Sequence, residues 1–237
     1  MIIKIVIGLF VAVAIVIILM PHSVQSLKTF LLILRVSPFE RHIDTAEKIF
    51  VLGDSTGYGT GAGKSEESIA GRIADDFPQY SIENNSRNTR TIGELLPIAK
   101  EVSGTYTLIL LQIGGNDILQ KRDVSVVESE LRQIIEALTP HTEYLMMMST
   151  GNVGAAPRFG ETEAAYYEDA TRVFRDMFMR VASETDMVYV DLFREPKDDP
   201  MAQEPKTYLA FDGLHPSSAG YRLWYQELCP LLTNKLD

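Results

Sequence analysis

The sequence predicts an α/β protein: a three-layer sandwich with helices on both faces of a central five-stranded parallel sheet, preceded by an N-terminal transmembrane helix. Two observations predict the sandwich. Short β-rich segments alternate with longer segments whose apolar residues recur every three or four positions. The β-rich segment at 107–114 is almost continuously apolar, which is typical of a strand buried on both faces. Regular alternation of strands and helices favours parallel pairing through right-handed crossovers.

The individual elements follow from these patterns. Strands are predicted at 48–53, 80–84, 107–114, 143–150 and 187–193. Helices are predicted between them at 65–77, 91–102, 123–138 and 163–184, and a last helix at 217–236, which Ser217 or Ser218 can cap. Because sites in open parallel sheets form beyond the carboxyl ends of the strands, functional residues are expected in the loops that follow them.

The N-terminus has a different composition. Residues 1–20 are apolar apart from Lys4 and have no polar face, which favours an uncleaved membrane anchor over 1–22. A cleaved signal peptide is the alternative, although the small-residue cleavage pattern is missing. Residues 23–46 are interpreted as an amphipathic tether and linker, lying on the membrane or packing against a globular domain at 47–237. The positive charges that follow the span favour a cytoplasmic domain.

Composition excludes several classes of function. The chain of 237 residues is 46% hydrophobic, enough for one core, and its net charge of −10 argues against a nucleic-acid partner. The single cysteine, Cys229, cannot form an internal disulfide and is interpreted as a buried structural thiol. His22, His42 and His141 lack metal-ligand spacing, so no metal site is predicted.

The glycine-rich stretch at 51–65 allows two nucleotide-binding interpretations. A Walker loop needs a glycine five positions before Gly63-Lys64-Ser65, but Tyr58 occupies that position. A dinucleotide fingerprint is matched by Gly57, Gly59 and Ala62, but residues 54–56 intervene between the strand end and its first glycine. Both matches are weak.

The third interpretation is a nucleophile, with Gly53-Asp54-Ser55 presenting Ser55 at the strand end. Two other segments supply chemical partners. Asn116 follows two glycines after the third strand, and Asp212 precedes His215 by three residues before the last helix. A nucleophile, a base, an orienting carboxylate and an amide donor are the groups that acyl transfer requires. Asp54 and Asp117, beside these positions, are interpreted as acceptors that brace their loops.

These blocks resemble the SGNH (GDSL-type) hydrolases. "GDS" at 53–55, "GGND" at 114–117 and "DGLH" at 212–215 occur in that family's order, over nearly the whole chain from Lys48 onward. The resemblance implies a flavodoxin-like sheet, Ser55 as nucleophile, His215 as base and Asp212 as its orienter. It further implies an oxyanion hole formed by the N–H of Ser55, the N–H at Thr89 and the amide of Asn116.

The second block departs from the family pattern. Thr89 in "NNSRNTRT", 84–91, stands where the family has a glycine that donates its N–H. The threonine retains an N–H, but a β-branched residue resists backbone conformations that glycine adopts freely. Loss of one such donor costs about 3 kcal/mol of transition-state stabilisation.

The resemblance also implies a function. The expected activity is hydrolysis of carboxylic esters, such as lipid, lysophospholipid or acetyl esters, through an acyl-enzyme and without a cofactor. The expected partners are a small-molecule ester and a membrane held through the N-terminal helix. Many members of the family are exported, so the resemblance places the domain outside the cytoplasm, against the charge count. Two alternatives remain: a tethered module that binds acylated glycans or lipids, and an O-acyltransferase that uses the same triad.

Overall fold

The computed structural model describes residues 21–44 and 47–236, and a single parallel sheet forms the centre of this part of the chain. The sheet consists of β1 (Lys48–Gly53), β2 (Ser81–Ser86), β3 (Tyr106–Gln112), β4 (Thr142–Met148) and β5 (Val188–Val190). The strand order is β2-β1-β3-β4-β5, and every neighbouring pair is parallel. The predicted five-stranded α/β architecture is confirmed.

Helices cover both faces of the sheet. In chain order they are α1 (Pro21–Ile33), α2 (Ser55–Tyr58), α3 (Ile69–Asp76), α4 (Ile92–Glu101), α5 (Gly115–Leu119), α6 (Val124–Leu138), α7 (Glu161–Ser183), α8 (Pro200–Gln203), α9 (Pro205–Tyr208) and α10 (Ser218–Leu236). Side chains of α3 and α10 share one apolar cluster with Val51 and Leu110, whereas α4, α6 and α7 share the other with Leu52 and Leu111. Because successive residues of β1 and β3 enter opposite clusters, both strands read as continuous apolar runs in the sequence.

The long helices agree with the sequence-based expectations, and the short ones were not foreseen. Helices α2, α5, α8 and α9 have four or five residues each, too few for a periodic apolar pattern. Ser217 caps α10 as expected, since its Oγ accepts the N–H of Gly220 at 3.3 Å. Cys229 is half-buried, so the expectation of a buried thiol is wrong. Its position on α10 leaves one side of the thiol facing solvent.

The strand order places a topological switch point beside β1. The chain leaves β1 for β2 on one side and then returns across β1 to β3 on the other. Loops from the carboxyl ends of β1 and β3 therefore diverge and leave a crevice between them, the usual position of a ligand site in open α/β sheets.

The transmembrane helix predicted within 1–22 lies almost entirely outside the described residues. Among the helices that the structure describes, none is both long and apolar enough to cross a membrane. Within the segment interpreted as a tether, Leu32 and Val36 are buried. The linker is also attached: Arg41 forms an antiparallel bridge with Ile82 of β2.

Candidate active site

Ser55 lies at the carboxyl end of β1, as the first residue of α2. The turn needs Gly53, since a Cβ there would lie 2.4 Å from the carbonyl oxygen of Gln112. Asp54 caps the helix: its Oδ1 accepts the backbone N–H and the hydroxyl of Thr56, both at 2.8 Å. Burial raises the pKa of Asp54 to about 6. A buried capping side chain thus fixes the backbone that presents the Ser55 hydroxyl to the cleft.

His215 and Asp212 face Ser55 from the loop before α10. The Nε2 atom of His215 lies 3.0 Å from Oγ of Ser55, and its Nδ1 atom lies 2.7 Å from Oδ2 of Asp212. The other oxygen of Asp212 accepts the backbone N–H groups of Leu214 and His215, each at 3.1 Å. The predicted spacing of three residues does place both side chains on the same side of one turn.

The protonation state of the His215 ring follows from that of Asp212, which is 1% exposed. Burial acts to raise its pKa, but the hydrogen bond and the charge interaction with His215, together with the two backbone N–H groups, lower the pKa to about 2. The carboxylate is therefore ionised at neutral pH and can only accept, so Nδ1 of His215 carries a hydrogen. In the neutral ring Nε2 then accepts the Ser55 hydroxyl, which is the orientation a general base needs.

The residues expected to form an oxyanion hole line the same cleft as Ser55. Thr89 enters from the loop after β2, and Asn116 enters from α5. The amide nitrogen of Asn116 donates to the carbonyl of Arg90 at 3.1 Å, which ties the two loops together. Its second N–H remains a donor that a ligand in the cleft can use.

Thr89 adopts the backbone conformation that glycine favours. Its φ is +68°, in the left-handed region, where a β-branched residue is a rare outlier. The backbone at Thr89 therefore has the conformation that a glycine would adopt at this position. The cost of that conformation is about 1–2 kcal/mol.

Asp117 connects the two segments of the site that carry Thr89 and Asn116. Its carboxylate is buried, accepts the N–H of Ile92 at 3.0 Å and forms an ion pair with Arg122 at 2.8 Å. Burial raises the pKa of Asp117, opposed by the hydrogen bond from Arg122. The carboxylate joins α5 to the start of α4, as expected for a loop-bracing acceptor.

Helix α1 also contributes to this site, which no sequence pattern indicated. Thr29 and Ile33 line the cleft, and the Thr29 hydroxyl donates to Oδ2 of Asp212 at 2.9 Å. Arg158 donates to the Thr29 oxygen at 3.1 Å. Thr29 is one of several polar residues in an amphipathic segment, and nothing in the sequence connects it with a residue 183 positions away.

The remaining wall of the cleft is mostly apolar. Its apolar residues are Leu119, Val153, Leu214, Pro216 and Trp224, and Thr56, Asn88, Gly115 and Thr150 complete it. In the part of the chain that the structure describes, no group of three His, Cys, Asp or Glu side chains is placed to hold a metal ion.

A hydroxyl, an imidazole and a carboxylate joined in series at a sheet switch point define a class of proteins with a serine-hydrolase arrangement. Sequence comparison gives the family: the profile of the GDSL-like Lipase/Acylhydrolase family matches residues 51–223. The chain belongs to this family. The resemblance seen in the three sequence blocks is confirmed.

Solved structures share the fold at low sequence identity. A member of the lipolytic G-D-S-L family from Veillonella parvula DSM 2008 is similar with a TM-score of 0.63 and 18% identity, over 79% of this chain and 98% of that one. Axe2, an acetylxylan esterase from Geobacillus stearothermophilus, is similar with a TM-score of 0.55 and 19% identity, over 78% of this chain and 93% of that one. Comparison with curated proteins gave no match.

The strain at Thr89 gives a stability prediction. We expect Thr89→Gly to raise the free energy of unfolding by up to about 1 kcal/mol, because relief of the left-handed strain exceeds the extra entropy of glycine in the unfolded chain. Ester hydrolysis should be unchanged or faster, since the backbone N–H is retained. Thermal unfolding and a hydrolysis assay of the full chain in detergent measure both effects.

Lys121 provides a matched control for that experiment. It is the other non-glycine residue with positive φ, at +55°, among the residues that the structure describes. Lys121→Gly also relieves a left-handed conformation but removes the contact of the Lys121 ammonium with the Tyr166 ring at 4.4 Å, so stability should change little and activity should be unaltered. A Thr89→Gly variant that unfolds at a lower temperature than the parent would show that the threonine side chain contributes more than its strain costs.

Proposed function

We propose that this protein is a serine hydrolase that cleaves carboxylic esters through an acyl-enzyme. The observation that carries the proposal is the continuous chain of hydrogen bonds from Ser55 through His215 to Asp212, at 3.0 and 2.7 Å, opening into a cleft. A serine hydroxyl is a weak nucleophile until a base removes its proton, and an oriented imidazole is that base.

The reaction divides into two half-reactions. Oγ of Ser55 attacks the ester carbonyl while Nε2 of His215 takes the hydroxyl proton, and a tetrahedral oxyanion forms. Collapse of this intermediate breaks the bond to the leaving alkoxide, which receives the proton from His215, and leaves an acyl ester on Ser55. Water then attacks that ester with His215 again as base, releasing the acid and restoring the Ser55 hydroxyl. Asp212 holds the ring and stabilises the imidazolium throughout.

Three donors are proposed to hold the oxyanion: the N–H groups of Ser55 and Thr89 and the amide of Asn116. The Ser55 N–H belongs to the first turn of α2, so no intrahelical acceptor is available to it. The hydrogen bond from Asn116 to Arg90 and the Asp117 brace support this role, because they tie together the loops that carry Thr89 and Asn116. Donors fixed in advance stabilise developing charge without reorganisation during the reaction.

The cleft supports esters with short acyl groups as substrates. Its volume is about 200 Å³, and its apolar wall includes Val153, Leu214 and Trp224. Acetyl esters fit this size, in keeping with the acetylxylan esterase that shares the fold. Lipid or lysophospholipid esters require the acyl chain to extend out of the cleft along α1.

Membrane attachment belongs to the same proposal. We infer that residues 1–22 anchor the protein and that the domain lies outside the cytoplasm. The anchor is supported by the uninterrupted apolar sequence of 1–20, apart from Lys4, and by the outer face of α1, whereas the location is supported only by the export of many members of the family. There Leu27 and Phe30 are more than half exposed, as is Leu34 directly after the helix, which suits a helix at a lipid surface.

A graded ester panel tests the proposed activity. The full chain in detergent micelles is assayed with p-nitrophenyl esters from acetate to palmitate, and the acetate and butyrate are expected to be hydrolysed fastest. An organophosphorus ester that phosphorylates activated serines should label Ser55, located by mass spectrometry of peptides. Absence of both hydrolysis and labelling would refute the proposal. A competing alcohol in the assay separates hydrolysis from acyl transfer through the products formed.

One observation favours a second candidate, a tethered module that binds acylated glycans or lipids. The strained Thr89 stands where the family has a glycine, and its relaxation out of the left-handed region would misdirect its N–H and leave binding without turnover. That candidate predicts saturable binding of an acetylated oligosaccharide with no release of acetate, whereas the hydrolase releases acetate from the same compound.

A further inference from the structure

We propose that Thr29 of α1 is a positioning residue for the triad, so that the helix directly after the apolar N-terminal segment completes the catalytic site; this role rests on the proposed ester hydrolysis. The Thr29 hydroxyl lies 2.9 Å from Oδ2 of Asp212, the oxygen that also accepts Nδ1 of His215.

The direction of this hydrogen bond is fixed by chemistry. Arg158 can only donate, and its Nη1 atom lies 3.1 Å from the Thr29 oxygen, so that oxygen accepts there. The ionised carboxylate of Asp212 can only accept, so the Thr29 hydrogen must point to it. Two hydrogen bonds in series therefore run from the Arg158 guanidinium through the Thr29 hydroxyl to the Asp212 carboxylate, and we call this series the relay.

Thr29 supplies a hydrogen-bond donor to Asp212 from outside the loop that carries Asp212. Leu214 and His215 provide three donors to Asp212, two backbone N–H groups on Oδ1 and the ring N–H on Oδ2. Within the described residues, Thr29 adds the fourth donor, from a separate element. A buried carboxylate with four donors has a single rotamer, and the imidazole plane is fixed with it.

Isosteric replacement tests this role. Thr29→Val keeps the shape of the side chain and removes the donor, and we expect kcat for p-nitrophenyl acetate to fall about 10- to 100-fold with little change in KM. Thr29→Ser restores a hydroxyl and should recover most of the activity. Thr162→Val, an exposed threonine at the start of α7, is the matched control and should behave like the parent.

Arg158 allows the relay itself to be examined. If Arg158 acts through Thr29, the double variant Thr29→Val/Arg158→Met should be no slower than Thr29→Val alone. Additive losses would show that Arg158 acts on substrate instead of through Thr29 and would overturn the relay.

A measurement without substrate separates this inference from the proposed function. The hydrogen on Nδ1 of His215 gives a downfield proton resonance, which Thr29→Val should move because Oδ2 loses a competing donor, whereas Thr29→Ser and Thr162→Val should not move it. An unmoved resonance together with unchanged kcat in Thr29→Val would overturn the role of Thr29, even in a protein that hydrolyses esters. A parent chain without hydrolysis would refute the function, and the resonance would still report on Thr29.

Discussion

Ser55→Ala is expected to lower kcat for p-nitrophenyl acetate by about 10⁴- to 10⁶-fold, because it removes the attacking oxygen while binding and oxyanion donors remain. The variant should fold, since the lost hydroxyl is partly exposed and its hydrogen bond is to a side chain at the cleft. Initial rates at saturating ester, with thermal unfolding of the same preparation, measure both statements.

Ser65→Ala is the control for Ser55→Ala. Ser65 ends the same glycine-rich stretch and belongs to the Gly-Lys-Ser sequence that resembles part of a phosphate loop. Its replacement should leave hydrolysis at the parent rate, in agreement with a chance match. Substantial turnover by Ser55→Ala would mean that another group attacks the ester, and the proposed mechanism would fail.

Asp212→Asn is expected to lower kcat by about 10⁴-fold, because an amide permits the wrong imidazole tautomer and no longer stabilises the imidazolium. It should also lower stability at neutral pH by about 2 kcal/mol, since folding lowers the pKa of Asp212 from 3.8 to about 2. A carboxyl group whose pKa is lower in the folded state stabilises that state at pH values above the pKa that the group has in the unfolded chain. That contribution is lost as the pH falls from about 4 to about 2.

Rates at pH 7 and unfolding at several pH values measure both effects of Asp212→Asn. The stability difference between parent and variant should shrink as the pH falls toward 2. Asp198→Asn, an exposed carboxylate in the loop before α8, should change neither quantity appreciably. An Asp212→Asn variant with near-parental kcat would show that His215 keeps its orientation by other contacts.

Much of the fold and site could be predicted from local sequence. Most of strand β3 is apolar because residues such as Leu110 and Leu111 enter the two opposite clusters, and that pattern is visible without coordinates. The pairing of Asp212 with His215 was also predictable, because a spacing of three residues within one turn places both side chains on the same side. Ser55 could be predicted as their partner, because the carboxyl ends of parallel strands lie at one edge of the sheet.

The rest depends on contacts between distant segments. The place of Thr29 beside Asp212 is set by how α1 packs on the finished domain, and no local pattern encodes that packing. The left-handed φ of Thr89 is equally invisible, since loops on both sides impose it against the preference of threonine. Short helices such as α5, which carries Asn116, are too brief for periodicity to reveal.

The bridge at Arg41 attaches the segment after α1 to β2, the edge strand of the sheet. Its main chain exchanges hydrogen bonds with Ile82 at 3.0 and 2.7 Å, and its guanidinium donates to the carbonyls of Phe77 and Tyr80. Residues 34–40, which join α1 to this bridge, span at most about 25 Å when fully extended. With the N-terminal segment held in a bilayer, as proposed, the domain would keep a short, fixed standoff from the lipid headgroups. Substrates would then be sampled from a thin layer next to the membrane, because α1 continues from the proposed anchor and contacts the active site through Thr29.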